Sequence, residues 1–267
     1  MADNNLKTFP KIIEIPKFVL INIMKHFIPI ILSLLFLSFL SCKKENAFDC
    51  VKPTGKIITE TRQTPYFHTI IINDKLDVYL KQDNLNVSVK AGKNIIQNII
   101  TEVKNETLYI ANNNKCNFIR DPQKKIEIYI HLPHLKYLKH NGSGNIYSVN
   151  TFVQDTIVIR METPGDVHLN VQTKYFGGST HGNGDLYVSG QTDYFYYHYN
   201  GTNFIYAEQL KINQYCYLES HSVGHAYVNI DHIGMDATLF SNGNIYYRGN
   251  PTYLHSSSKG KGKVIQI

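Results

Sequence analysis

Two aspartates, Asp166 and Asp185, are the residues of this chain whose type and spacing most directly suggest chemistry. They lie 19 residues apart, and each directly follows a glycine. If the chain coils with that period, the carboxylates stack roughly 5 Å apart, and paired carboxylates are what polysaccharide-cleaving enzymes use. Asp and Asn beside a glycine more often serve to hydrogen-bond a tight turn. We therefore expect turn chemistry here and predict no catalytic residue.

The 12 histidines raise the question of a metal site. Metal ligands must converge on one point, and neither HxH nor HExxH spacing occurs. The four best candidates fall on different columns or separate coils of the repeat described next; they are His181, His198, His221 and His225. We therefore predict no metal site. Because the chain also lacks a GxSxG elbow and a phosphate-binding glycine loop followed by a helix, we predict no cofactor.

A short glycine-containing phrase recurs through the second half of the chain and must position these residues. Examples are GSGNIYSV from Gly142, GNGDLYVS from Gly182 and SNGNIYYR from Ser241. The aligned turn positions are Gly144, Gly165, Gly184, Asn203, Gly224, Gly243 and Gly262. The steps between them are 21, 19, 19, 21, 19 and 19 residues. A period near 20 indicates coils stacked on one another.

The columns of this alignment indicate which way the side chains point. Two places after the turn every residue is apolar: Ile146, Val167, Leu186, Ile205, Ala226, Ile245 and Val264. Three places after it the residues are mainly tyrosine: Tyr147, His168, Tyr187, Tyr206, Tyr227, Tyr246 and Ile265. Because successive strand residues face opposite sides, the apolar column points inward and the tyrosine column outward.

A second alternating segment precedes the turn in each middle coil. Its inward residues are Ile157, Ile159 and Met161 in one coil, Phe195, Tyr197 and Tyr199 in another, and Cys216, Leu218 and Ser220 in a third. Two strands per coil and no helical period predict an all-β fold, a right-handed parallel β-helix-like stack with coils of about 20 residues. A propeller is the alternative, but its blades need about twice this period.

The chain divides into four parts. Residues 1–41 resemble a lipoprotein-type signal region, because the apolar run Phe27 to Leu40 suits a signal peptide and is too short to span a bilayer. We predict that translation starts at Met24, because a start there gives a signal peptide of ordinary length. Residues 42–50 form a tether. Residues 51–139 have irregular strand-like segments and form the first rungs, and residues 140–267 form the regular coils of the same domain.

The four cysteines suggest one lipid anchor and one bridge. Cys42 follows Phe39-Leu40-Ser41, which resembles a lipobox although Leu is commoner than Phe at its first position, so we predict lipidation of Cys42. Cys50 and Cys116 are candidates for a disulfide in an oxidising compartment, whereas Cys216 falls on an inward column and serves packing. The net charge of +6 comes without an arginine-rich helix or basic cluster, which argues against nucleic acid as a partner.

Several ordered phrases resemble those of a known family. They are CVKPTGKIITETR from Cys50, YFHTIIINDKLDVYLKQ, AGKNIIQNIITEVKNETLYI, NKCNFIR and KIEIYIHLPHLKYLKHNGSGNIY. Over residues 50–267 the chain resembles the head GIN domain family, auto-transporter adhesin-like lipoproteins of Gram-negative bacteria. The resemblance implies a β-helix-like protein of the cell surface or periplasm and carries no assigned activity or functional residues.

The tyrosine column is the best functional candidate of the sequence. Tyr147, Tyr187, Tyr206, Tyr227 and Tyr246 form an exposed aromatic strip that could bind glycan or an envelope protein, although such rows also stabilise the stack itself. We predict a non-enzymatic binding, adhesion or scaffolding protein, with a polysaccharide lyase or hydrolase as the alternative. Because Lys43 is not the Asp of the bacterial sorting rule for inner-membrane retention, the outer membrane is favoured.

The signal region generates the first testable prediction. N-terminal mass spectrometry of the protein isolated from membranes should find a mature chain that begins at a lipid-modified Cys42. A mature chain that still contains Pro10 to Phe18 would contradict both the assigned start at Met24 and the cleavage before Cys42.

Overall fold

The computed structural model describes residues 53–117, 124–162 and 164–267, which form strands and one short 3-10 helix at Ile96–Asn98. The signal region and the cysteines at 42 and 50 lie outside these ranges. No helix in the described ranges is long and apolar enough to cross a membrane. The strands are β1 (Ile57–Arg62), β2 (Thr69–Asp74), β3 (Asp77–Gln82), β4 (Asn86–Gly92), β5 (Ile99–Lys104), β6 (Thr107–Asn112), β7 (Glu127–Leu132), β8 (Tyr137–Gly142), β9 (Ile146–Ser148), β10 (Phe152–Val153), β11 (Thr156–Met161), β12 (Val167–Gly182), β13 (Leu186–Gly201), β14 (Ile205–Ser222), β15 (Ala226–Asn229), β16 (Gly234–Leu239), β17 (Ile245–Arg248), β18 (Tyr253–Ser258) and β19 (Val264–Gln266).

The second half of the chain is a parallel β-solenoid of about seven turns, which confirms the predicted fold class. One residue of each coil pairs with the corresponding residue of the next coil, in the order Ile146, Val167, Leu186, Ile205, Ala226, Ile245 and Val264. These are the predicted inward residues, and the register steps equal the steps of the sequence repeat. Each strand therefore pairs with its own counterpart one coil away.

The strands form two stacks that enclose the core. One stack contains β9, the first halves of β12, β13 and β14, then β15, β17 and β19. The other contains β8, β11, the second halves of β12, β13 and β14, then β16 and β18. Because β12, β13 and β14 continue through both stacks, the coil bends within these strands. The register between β13 and β14 shifts twice in this region, between Tyr187 and Ser189 and between Thr192 and Tyr194.

The start of the solenoid is irregular because chain order and stack order differ there. The coil formed by β2 and β3 lies between β8 and β9 on one side and β6 and β7 on the other. Further out, β4 pairs antiparallel with β7 and β1, and β5 pairs antiparallel with β6. After β2 and β3 the chain therefore turns back toward the outer end of the stack, where it forms β4 to β7. It then passes β2 and β3 and continues the stack with β8.

The core is filled by columns in which corresponding side chains of successive coils contact one another. Phe176 stacks on Phe195 at 6.0 Å between ring centroids, and the next inward position pairs Ile159, Gly178 and Tyr197 in successive coils. The large, fully buried Tyr197 follows Gly178 in this column, and its hydroxyl bonds the Thr180 hydroxyl at 2.6 Å. A column can therefore hold a bulky residue where the neighbouring coil supplies a small one.

A buried histidine, His140, lines the core near the first regular corner. Its Nε2 donates to the Gly144 carbonyl at 2.7 Å, and the Gly142 amide donates to its Nδ1. This arrangement uses the neutral ring, and burial lowers the pKa of His140 accordingly.

The aligned turn glycines serve close approach between coils. None of those with a described environment has a positive φ. A Cβ on Gly243 would lie 1.9 Å from the Gly224 carbonyl oxygen, and one on Gly224 would lie 2.0 Å from the Asn203 carbonyl oxygen. Glycine is therefore required at Gly224 and Gly243, because the backbone of the adjacent coil occupies the position of a side chain there, and Asn203 is the one aligned turn position without glycine.

This packing predicts a specific cost at the corner. Gly243→Ala should lower the free energy of unfolding by about 1–3 kcal/mol, because the methyl group forces the two coils apart. Chemical denaturation measures the loss. The matched control is Asn242→Ala at the exposed neighbouring residue, which should change stability by less than about 0.5 kcal/mol. Equal effects of the two substitutions would contradict the close-approach role.

Candidate binding surface along the aromatic ladder

Eight aromatic residues form one continuous column on the outward side of the first stack. We call this column the aromatic ladder; in stack order it contains Tyr129, Tyr79, Tyr147, His168, Tyr187, Tyr206, Tyr227 and Tyr246. Neighbouring ring centroids are 4.3 to 5.6 Å apart, with interplanar angles of 2° to 21°. Each coil therefore contributes one ring to a regular stack.

The structure brings all five tyrosines of the sequence-predicted strip into this ladder and adds three members. His168 fills the gap between Tyr147 and Tyr187, stacking at 4.9 and 4.3 Å. Tyr79 and Tyr129 come from the irregular start and were missed. The signal for Tyr79 was present, because Asp77-Val78-Tyr79 repeats the pattern of Asp185-Leu186-Tyr187.

Stacking determines which parts of the rings a ligand can reach. Rings this close and this parallel cover one another's faces, so the ladder presents ring edges and hydroxyls to solvent. Burial raises the pKa of Tyr187 to about 12, with a further contribution from the Asp185 carboxylate. Tyr187 thus remains a neutral hydrogen-bonding group at physiological pH.

Some tyrosine hydroxyls of the ladder have hydrogen-bond partners in neighbouring side chains, whereas those in the middle of the ladder have none among the described residues. Tyr129 donates to Glu127 at 2.7 Å, while Asn145 and Asn244 donate to the hydroxyls of Tyr147 and Tyr246 at 3.0 and 2.9 Å. Within the described part of the chain, no hydrogen bond engages the hydroxyls of Tyr187, Tyr206 and Tyr227. The middle of the ladder therefore has unused hydrogen-bonding capacity.

An open groove of about 390 Å³ lies beside the middle of the ladder. Its lining consists of Ser148, His168, Leu169, Asn170, Tyr187, Val188, Ser189, Tyr206, Glu208 and Gln209. The ladder forms one wall and a polar column the other. Burial lowers the pKa of His168, so its ring is neutral. Glu208 is the one acidic residue of this lining, and the groove therefore offers amides, hydroxyls and a single carboxylate.

The aspartates that first suggested catalysis bond the backbone. The Asp185 amide donates to Asp166 Oδ1 at 2.9 Å, and the Phe204 amide donates to Asp185 Oδ1 at 2.8 Å. Asn145 and Asn244 accept the equivalent amide bonds in their coils at 3.1 and 2.9 Å. These bonds differ from the expected bonding within a tight turn, because each joins a side chain to the backbone of the adjacent coil. Burial also raises the pKa of Asp185.

The four candidate histidines do not converge on one point, although two approach the same carboxylate. His221 Nε2 lies 3.0 Å and His198 Nδ1 3.6 Å from Glu219 Oε1, whereas His225 accepts the Asn244 amide at 2.9 Å. In the described ranges, no group of three or more His, Cys, Asp or Glu is placed to hold a metal ion.

The cysteines divide into a bonded and a free class. Cys116 is disulfide-bonded, and Cys50 lies outside the described residues, so the pairing of these two stays a prediction. Cys216 is buried and free. Burial in the apolar core raises the pKa of its thiol, which suits a packing role.

A β-solenoid with outward ladders and an open groove belongs to the class of repeat proteins that present extended surfaces. The family model described as "Putative auto-transporter adhesin, head GIN domain" matches residues 66–251. The chain therefore belongs to this family, as its phrases predicted.

Solved structures show the same fold. A putative adhesin from Bacteroides fragilis is 25% identical with a TM-score of 0.75, and the match covers 80% of this chain and 99% of that one. A putative adhesin from Parabacteroides distasonis is 19% identical with a TM-score of 0.59, covering 80% and 98%. A putative lipid binding protein from the same species is 20% identical with a TM-score of 0.60, covering 80% and 97%. No curated protein matches the chain.

The role of the paired aspartates can be tested with two substitutions at one position. Asp185→Ala removes the acceptor of the Phe204 amide and should lower the free energy of unfolding by about 1–3 kcal/mol. Asp185→Asn keeps an acceptor and removes a partly buried charge, so stability at neutral pH should be equal or higher. Denaturant unfolding distinguishes the two. An equal loss in both variants would mean that the negative charge itself is needed.

Proposed function

We propose that this protein is a lipid-anchored, non-enzymatic adhesion protein of the cell envelope that binds a polyhydroxylated ligand, a glycan, in the groove beside the aromatic ladder. The family's description and the names of its solved relatives support an adhesive role. The name of one further relative refers to lipid binding. A glycan fits the open groove because aromatic and aliphatic surface lies there beside polar side chains and tyrosine hydroxyls, and a sugar ring likewise combines apolar faces with polar edges.

The observation that carries this proposal is the set of unpaired hydroxyls in the middle of the ladder. Tyr187 and Tyr206 line the groove, and neither hydroxyl has a hydrogen-bond partner in the described part of the chain. In the next outward column of the same strands, Asn170 and Ser189 supply further donors and acceptors. Sugar hydroxyls can bond both columns, while the ring edges contact the apolar carbons of the sugar.

The same observations favour binding over the alternative of a polysaccharide lyase or hydrolase. Such an enzyme needs several charged groups converging in a groove, and this groove has one carboxylate, Glu208. Asp166 and Asp185 each accept a backbone amide of the neighbouring coil. Release of reducing ends from an envelope polysaccharide, abolished by Glu208→Gln, would favour the enzyme instead.

The anchor and the location belong to the same proposal. A diacylated Cys42 followed by a short tether would hold the solenoid at a membrane without a transmembrane segment. Lys43 at the sorting position supports the outer membrane. An adhesive protein held there has access to polysaccharide either in the periplasm or at the cell surface.

Removing two hydroxyls tests the proposed site without disturbing the stack. Tyr187→Phe together with Tyr206→Phe keeps both rings, and each lost hydrogen bond contributes about 0.5–1.5 kcal/mol. Binding to retained glycans on an array, or to envelope polysaccharide in a pull-down, should weaken by about ten-fold or more.

The matched control is Tyr227→Phe, which removes an equally unpaired hydroxyl from the same ladder outside the groove lining. It should leave binding unchanged, and thermal unfolding should be similar for all variants. Unchanged glycan binding in the double variant would reject the groove as the site.

A further inference from the structure

A second aromatic surface lies on the outward side of the other stack, away from the groove. We call it the tyrosine patch; it contains Tyr194, Tyr196, Tyr215, Tyr217 and Tyr253, together with Asp236, Glu219 and His255. These residues come from the second halves of β13 and β14 and from β16 and β18. None of them lines the groove beside the aromatic ladder.

The tyrosine patch differs from the aromatic ladder because its repeat is broken by a glycine. The register that pairs Tyr194 with Tyr215 continues to Gly234 and then to Tyr253. A Cβ on Gly234 would lie 2.2 Å from the ring of Tyr253, so this ring lies across the glycine. Tyr253 is 43% exposed and Tyr194 38% exposed. Ring surface that is covered in the ladder is open here.

Irregular packing extends to the middle of the patch. Tyr196 meets Tyr215 at 5.4 Å with an interplanar angle of 50°, and Tyr217 at 5.8 Å with 29°. Tyr196 therefore stacks on Tyr217 but is tilted against Tyr215, so the regular stacking of the ladder is interrupted at Tyr215. The hydroxyl of Tyr215 instead donates to Asp236 Oδ2, which fixes that carboxylate beside the rings.

The carboxylates of the patch lack a permanently charged partner. The ion pairs of the described residues give Asp236 only His255, at 3.1 Å, and give Glu219 only His198 and His221. Asp77 and Glu127, by contrast, pair with lysines at 2.7 and 2.8 Å. The patch is therefore an aromatic surface whose two carboxylates pair with histidines and with no lysine or arginine among the described residues.

We propose that the tyrosine patch binds an amino sugar of an envelope polysaccharide through its protonated amino group. The ammonium group pairs with Asp236, where a charge-assisted hydrogen bond is stronger than a neutral one. The apolar face of the sugar ring packs on the open ring of Tyr253, and a cation beside tyrosine faces gains further attraction. Thr238 and Ser257 lie beside Asp236 and His255 along β16 and β18 and can bond the sugar hydroxyls. This site is independent of the groove.

The test uses two oligosaccharides that differ only in the charged group. Isothermal titration of the folded protein at mildly acidic pH, where the free amino groups of chitosan are protonated, compares chitosan oligomers with chitin oligomers of the same length, in which these groups are acetylated. Chitosan oligomers should bind, and chitin oligomers should bind at least ten-fold more weakly. Asp236→Asn, which keeps the shape of the side chain, should weaken chitosan binding about ten-fold, and Tyr253→Ser should weaken it as well.

One variant should bind more tightly. His255→Gln removes the group that competes with the ligand for Asp236, so chitosan affinity should rise severalfold. The Tyr187→Phe and Tyr206→Phe double variant serves as the matched control and should bind chitosan like the wild type, so failure of the groove and failure of the patch can be told apart. Far-ultraviolet circular dichroism of each variant confirms that it is folded.

Four outcomes would overturn the proposal. These are the absence of chitosan binding, equal binding of chitin and chitosan oligomers, unchanged affinity in Asp236→Asn, and equal binding of an oligolysine of the same charge. The last outcome would identify a site for a basic peptide instead of a sugar.

Discussion

The structure depends on one constraint, the parallel register that places each residue against its counterpart one coil away. Strands in such a ladder lie about 4.8 Å apart. Each side chain must therefore pack against the corresponding side chains of the coils above and below it. Aliphatic residues from Ile146 to Val264 satisfy this constraint inside, and stacked tyrosines satisfy it outside. At the corners only glycine satisfies it where the next coil's carbonyl comes within 2.0 Å of a Cβ position.

The same constraint explains why regular columns are poor sites for chemistry. The Asp and Asn column uses its oxygens to accept amides of the adjacent coil, and the aromatic ladder uses its ring faces for stacking. Groups that a ligand can contact remain where the hydroxyls or ring faces of a column are not used by the neighbouring coils. Among the described residues, the hydroxyls of Tyr187 and Tyr206 beside the groove have no hydrogen-bond partner, and Gly234 interrupts the column in which Tyr253 is exposed.

Much of the second half of the chain could be predicted because the repeat is local and periodic. Spacing alone gave the 19- and 21-residue steps, the inward column and five members of the ladder. The local pattern marks Tyr79 as an outward residue, but the positions of Tyr79 and Tyr129 in the ladder could not be predicted, because antiparallel pairing of β4 turns the chain back and inverts the order of the first coils. A reading in chain order assumes that neighbouring segments are neighbouring coils, which is untrue there.

The sequence by itself determined the coil period, the all-β class and the direction of each repeated side chain, because these follow from alternation and spacing along one segment. Only the tertiary structure decided which polar groups are already used. Whether a tyrosine face is covered, or a carboxylate such as Asp185 accepts a backbone amide, depends on distances between coils of a few ångströms. Residues from different coils set those distances, and spacing within one coil does not contain them.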